Sequence, residues 1–356
     1  MTDAETLDDV PGIESMDKGD MARALSGFPS QLRLGTEPDV LSGFTRTLSD
    51  RMISNVAICG MGGSAISGDI IEGWIGSRCG VPLATVRGYR LPGWVDEKTL
   101  VICVSYSGNT EETLANAREA EKRGCALAAV CSGGRLADFF DGKGPVLGVP
   151  PNQQPRASSG WLLCRVADLL ISAQVTSEGL AEDIREAREI LEQMEKELSV
   201  NVPTDSNSAK DMAIGLQGRI PAIYGAEHLT VAARRWQTQI NENGKVLAWW
   251  GSFPEMNHNE IVGWAGGDLS QCTAIFLRDD GYHPQIHRRM DYTRDVIVKG
   301  GGAVREVSSL GSGHLARVLS TVYVGDWVSF YMAMLRGLDP SPVEVIEGLK
   351  VHLASK

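Results

Sequence analysis

Several things are scarce in this chain of 356 residues. Cysteine occurs seven times, an odd number, and Cys59, Cys103, Cys131, Cys164 and Cys272 sit inside apolar runs. That reads as small buried thiols of a reducing compartment, not as a disulfide framework. No Cys-x-x-Cys or Cys/His cluster has the spacing of a zinc site, so no metal is expected. Basic residues are outnumbered, 34 Lys and Arg against 45 Asp and Glu for a net −11, and nowhere gather into a stripe. Such a chain suits neither nucleic acid nor a membrane surface as partner. The first residues are acidic with no apolar signal core, and no apolar run approaches the length that crosses a bilayer. A cytoplasmic location is the expectation.

What is present is alternation. Residues 1–45 are polar and weakly patterned, with Met16, Met21 and Leu25 suggesting one helix against the body. From Asn55 onward, short apolar runs at 56–59, 83–87, 100–104 and 126–131 read as strands, with helical periodicity at 64–75 and 113–123. This βαβ rhythm predicts an α/β fold with a parallel sheet flanked by helices. Residues 161–173 read as an apolar helix and 180–198 as a long charged one, with Ile184, Ala187, Leu191 and Met194 on one face. Residues 201–206, with Pro203, read as a linker. The rhythm then restarts: 221–225 repeats the strand-then-Gly pattern of 56–60, and 273–277 repeats 100–104. The chain reads as a divergent duplication, divided into a 1–45 extension, a first unit at 46–175, a linking helix and linker at 176–206, and a second unit at 207–356.

Three loops carry candidate chemistry. Ser105-Tyr106-Ser107-Gly108-Asn109-Thr110 follows a strand and opens a helix. Free N–H groups and the positive end of the helix dipole meet there, with Ser105, Ser107 and Thr110 adding hydroxyls. A phosphate monoester is the ligand such a nest wants; plain capping of the helix by Thr110 or Asn109 is the alternative. Gly60-Met61-Gly62-Gly63-Ser64-Ala65 satisfies a dinucleotide fingerprint, yet the following strand ends at Arg87 where an acidic ribose partner is expected. Only a phosphorylated nicotinamide cofactor survives that test. The preferred reading has no cofactor, with Gly62, Gly63 and Ser64 walling a sugar-phosphate site. In the second half, Arg278-Asp279-Asp280-Gly281 replaces the hydroxyl loop, and its aspartates would repel a phosphate.

Arg156, in Pro155-Arg156-Ala157 before a helix, is either a fixed cation for a developing anion or an ordinary surface arginine. The densest stretch holds Asn241-Glu242-Asn243 and Met256-Asn257-His258-Asn259-Glu260 among Val246, Leu247, Trp249, Trp250, Phe253 and Trp264. Glu242 ends a helix, where the macrodipole disfavours a carboxylate and suits it to proton transfer. His258 has polar neighbours able to fix its tautomer. Solvated residues at a helix end and in a loop are the plainer reading of both.

Taken together, Gly60 to Ser64, Ser105 to Thr110, Pro155-Arg156-Ala157, Gln239-Ile240-Asn241-Glu242-Asn243, residues 254–264 and the tail from Asp339-Pro340-Ser341-Pro342 to Lys350 resemble the bifunctional phosphoglucose/phosphomannose isomerases. That resemblance implies two tandem sugar-isomerase (SIS) domains, each a flavodoxin-like three-layer sandwich. It implies metal-independent interconversion of glucose 6-phosphate and mannose 6-phosphate with fructose 6-phosphate through a cis-enediol. Ser105, Ser107 and Thr110 would hold the 6-phosphate, with Gly63 and Ser64 beside the sugar. Glu242 would be the base and Arg156 the cation for the enediolate, while Lys350 lines the pocket. His258 would open the ring, reaching in from the partner of a homodimer. Ser341 stands where Thr is expected. A sugar-phosphate sensor without catalysis is the alternative, though a sensor needs only the phosphate loop.

Overall fold

Residues 2–176 and 179–355 are described by the computed structural model. Five short helices lead: α1 (Asp3–Asp8), α2 (Val10–Met16), α3 (Met21–Ser26), α4 (Phe28–Gln31) and α5 (Pro38–Leu48). The sequence suggests one helix here because no single apolar period runs through the segment. Instead Leu7, Ile13, Met21, Leu25, Phe28 and Leu32 each insert one buried side chain into the main core. Thr2 and Glu5 close a reciprocal capping box on α1, which compensates for its shortness. The segment docks far along the chain: the Tyr323 hydroxyl donates to the Leu25 carbonyl at 3.1 Å, and Phe28 stacks on the Tyr323 ring.

The first sheet is β1 (Asn55–Cys59), β2 (Leu83–Val86), β3 (Thr99–Val104), β4 (Ala126–Cys131) and β5 (Val146–Gly148), all parallel, in the spatial order β2-β1-β3-β4-β5. Its helices are α6 (Gly62–Ile75), α7 (Glu111–Lys122), α8 (Gly134–Phe140) and α9 (Ser159–Ser172). Every residue of β3 is buried, as a parallel strand covered on both faces requires. Its side chains alternate: Leu100, Ile102 and Val104 face one core, while Val101 and Cys103 face a second with Cys59 and Cys131. The thiols therefore pack as small apolar groups.

Helix α10 (Leu180–Leu198) buries Ile184, Ala187, Leu191 and Met194. The second half holds α11 (Ser208–Gly215), β6 (Ile220–Ala226), α12 (Thr230–Gln239), β7 (Trp249–Phe253), α13 (Glu260–Gly266), β8 (Cys272–Arg278), α14 (Pro284–Lys299), β9 (Ala303–Ser308), α15 (His314–Leu335) and α16 (Glu344–Ala354). Its parallel sheet runs β7-β6-β8-β9. Three strands lack a sequence signal. β5 has three residues, and β7 and β9 are edge strands with half-exposed, mixed side chains.

α15 corrects the expectation that no apolar run reaches membrane length. It is long and apolar enough to cross a bilayer, but 89% of its apolar window is buried within the chain. It is the central core helix of the second half.

Candidate active site

In each sheet the chain leaves its first strand to one side and its third to the other, and the loops beyond those strands form the crevice where α/β sheets bind ligands. In the first sheet these are the Gly60 and Ser105 loops. Gly108 sits at φ +67, and a Cβ there would lie 1.7 Å from the Gly133 carbonyl oxygen. Only glycine lets the turn come so close. The loop is pinned from outside: Arg135 N–H donates to Asn109 Oδ1 at 3.2 Å and Leu136 N–H to the Gly108 carbonyl at 2.8 Å. Ser105 and Thr110 hydroxyls pair at 2.8 Å, and Ser64 Oγ accepts from Tyr106 N–H at 3.1 Å. Thr110 occupies the N-cap position of α7 without capping it by its side chain. The first-turn amides of α7 thus remain pointed at the loop. Capping is not what these hydroxyls do. Ser107 is exposed, its Oγ accepting from Asn109 N–H at 3.2 Å.

The corresponding crevice of the second sheet is already filled. Asp279 Oδ1 accepts from Gly281 N–H at 2.7 Å and pairs with Arg317 Nη1 at 2.6 Å, and Oδ2 accepts from Ser309. His228 Nε2 lies 3.3 Å from Oδ2, misaligned for a hydrogen bond but placed for an ion pair when protonated. Although burial opposes it, these partners hold the Asp279 carboxyl well below the usual carboxylate range. In the second half an internal carboxylate occupies the loop that corresponds to the hydroxyl-lined Ser105 loop of the first. His228, buried, and His314, exposed, stack at 4.7 Å beside a cleft of about 480 Å³.

Between the halves sits Arg156. Its position is set by close approach: a Cβ on Gly63 would meet the Arg156 Cα at 3.3 Å and the Pro155 carbonyl at 3.4 Å. The side chain is 4% exposed. Nε donates to Asn243 Oδ1 at 2.6 Å, and Nη2 donates to the Pro340 and Ser341 carbonyls at 2.8 and 2.9 Å. Nη1 donates to Gln154 Oε1 at 3.3 Å and lies 3.6 Å from Glu242 Oε2. Burial pulls the guanidinium pKa down and Glu242 opposes that; arginine stays charged in any case. Behind it Arg235 donates to the Arg156 carbonyl at 2.6 Å and grips Asp326 with two bonds, all buried. Arg156 is thus no surface residue.

Glu242 does not end a plain α-helix. α12 runs into one π-turn, Ile240–Gly244, that widens the helix and turns Asn243 onto Arg156. Glu242 keeps 28% of its side chain exposed. A half-open carboxylate beside a buried guanidinium, next to a hydroxyl-lined anion nest, can move a proton while a fixed positive charge faces the developing anion.

Two sequence candidates stand apart. His258 ends the short turn Glu255–His258 and is exposed, and Lys350 is exposed on α16. Neither bonds to Glu242 or Arg156 among the described contacts. The Ser341 hydroxyl is buried without a partner under Gly19, whose added Cβ would fall 2.0 Å from it. Among the described residues no group of three His, Cys, Asp or Glu could hold a metal. Sequence reasoning missed Lys245, Gln154, Asn243 and Ser329; the run Asn241-Glu242-Asn243 was the available signal for Asn243, and the others had none.

A family model described as the bacterial phospho-glucose isomerase C-terminal SIS domain matches residues 205–353. A bifunctional phosphoglucose/phosphomannose isomerase of Caldicellulosiruptor bescii is 38% identical over 85% of this chain and 90% of its own. One of Aquifex aeolicus is 36% identical over 84% and 90%. A hypothetical protein of Thermus thermophilus superposes with a TM-score of 0.76 at 16% identity, covering 99% of this chain and 94% of that one.

Proposed function

This chain belongs to the bifunctional phosphoglucose/phosphomannose isomerase family, from which we infer an aldose–ketose isomerase of sugar phosphates, and we propose glucose, mannose and fructose 6-phosphates as the sugars it interconverts. The observation that carries the reading is Glu242 facing Arg156 across the two halves at 3.6 Å, with Arg156 backed onto Gly63 of the loop beside the hydroxyl nest. Ser105, Ser107, Thr110 and the first-turn amides of α7 take the 6-phosphate, with Gly62, Gly63 and Ser64 beside the sugar. Glu242 removes the C2 proton of an open-chain aldose; the electron pair moves into the C1–C2 bond and the C1 oxygen takes the charge. Arg156 Nη1 offsets that charge while the proton on O2 passes to O1; as the O2 carbonyl then forms, the C1–C2 electron pair takes back the proton at C1 from Glu242. Because the enediolate has lost its C2 configuration, the same intermediate serves both aldoses.

His258 and Lys350 join this site from a second copy of the chain. What supports a homodimer is apolar surface left uncovered: Val345, Ile346, Leu349, Val351 and Leu353 on α16, and Leu247, Trp249 and Trp250 at the β7 edge. The buried thiols suit a reducing, cytoplasmic setting.

The test is proton NMR of EDTA-treated protein in deuterated buffer with each sugar phosphate. Deuterium at C2 of both aldoses and interconversion of all three are expected. Turnover of glucose 6-phosphate alone narrows the substrate, and binding without exchange turns the reading to a sensor.

A further inference from the structure

Lys245 is the residue that closes the π-turn, and it does so in the left-handed region at φ +54, which lysine rarely adopts. Its backbone N–H donates to the Ile240 carbonyl. Its ammonium has three protons and meets three carbonyl oxygens: Glu242 at 2.5 Å, Pro340 at 3.1 Å and Pro342 at 2.5 Å. Two of those carbonyls lie in the 340–342 turn that Arg156 also grips, through Pro340 and Ser341. Pro340 O therefore receives both cations.

We propose that Lys245 is a positioning residue for the isomerase reaction, fixing the backbone of Glu242 against the 340–342 turn so that its carboxylate and the Arg156 guanidinium hold one separation. The geometry assigns this to Lys245 and not to the peptide framework alone. Glu242 O lies at the end of the π-turn, where no further helical turn supplies its donor. The 340–342 segment contains two prolines and cannot offer a full set of N–H groups in exchange. The ammonium is the sole side chain that joins the two among the described hydrogen bonds. Asn243, adjacent, bonds Arg156 on one side and the Ser329 hydroxyl on the other, so the turn is held from both ends. Burial and the neighbouring Arg156 lower the Lys245 pKa, and the Glu242, Asp339 and Glu344 carboxylates oppose that.

The inference rests on the isomerase reading above, and the test separates the two. Wild-type protein is assayed first with fructose 6-phosphate. Lys245→Met keeps the stem and removes the donors; its kcat is expected to fall about 10- to 100-fold, the scale set by displacing a catalytic group by about 1 Å. KM should stay within about twofold, because the phosphate loop is untouched. Lys245→Arg, which restores donors, should recover most of kcat. Lys210→Met is the control for plain destabilisation: Lys210 is a fully buried lysine, bonded to Asp8 and the Val200 carbonyl far from Glu242. It should lower the unfolding temperature without lowering kcat. Lys245→Met with wild-type kcat, or Lys210→Met losing kcat as steeply, overturns the positioning role while leaving the isomerase reading intact. Inactive wild-type protein overturns both.

Discussion

At the scale of single residues the proposed site divides into groups placed to meet a substrate and groups that hold them. Glu242 is in the first class of that proposal, by its exposure and its place opposite Arg156. Glu242→Gln preserves shape and removes the base. Its kcat is expected to fall about 10²- to 10⁴-fold with KM nearly unchanged, the range for loss of a general acid–base; steady-state kinetics with fructose 6-phosphate, and isothermal titration to confirm binding, are the measurements. Gly108→Ala has the opposite signature. A Cβ 1.7 Å from the Gly133 carbonyl at positive φ forces the nest open, so KM should rise at least tenfold while an active enzyme remains at saturation.

The Ser105 loop, Glu242 and Arg156 were legible as candidates from their local runs, and the structure adds that Arg156 is buried and lies 3.6 Å from Glu242. Lys245 was not legible. Its role depends on a backbone that turns left-handed and on a segment nearly 100 residues later in the chain arriving overhead. Neither leaves a local pattern. The same applies to Asp279, which reads from sequence as a charge hostile to phosphate. The structure adds that Arg317, 38 residues on, pairs with it and fixes it in the loop.

At the scale of elements, the internal strands, the edge strand β2 and the amphipathic helices were legible from the pattern, and the edge strands β5, β7 and β9 were not. A central parallel strand such as β3 must be apolar throughout, whereas β7 and β9 have one free side and carry mixed residues. The helices α1 to α4 were hidden because each spans too few turns to show a period; α5 is long enough to show one and was passed over. α16 is the element with least support from its own chain: none of its described side chains is buried, and five large apolar ones are exposed. Truncation after Val343 is expected to leave a folded monomer with lower activity. Sedimentation velocity against the full chain checks this, and an unchanged dimer would place the interface elsewhere.

At the scale of the molecule, pH acts on the joint between the halves. Burial, His228 and Arg317 lower the His314 pKa from 6.5, and the Asp279 carboxyl is lowered too. Both folded forms thus bind protons less readily than the unfolded chain. For His314 the stabilisation is fully present above about pH 6.5 and is lost as pH falls through its folded value; for Asp279 the loss begins below the ordinary carboxylate range, about pH 4. The urea midpoint should therefore decline from pH 7.5 to pH 5.5, and His314→Gln should flatten that decline. A midpoint that rises on acidification contradicts the assignment.

The docking of α3 and α4 has a consequence for synthesis. Leu25 meets Tyr323 across 298 residues of intervening chain. At about 5–20 residues per second, a ribosome needs on the order of 15–60 s to deliver that partner. For that interval Leu25 and Phe28 lack the Tyr323 side of their packing, while Phe28 gains its other neighbour, Gly160 of α9, well before it. The nascent chain holds its earliest helices against the first half alone until the last long helix emerges.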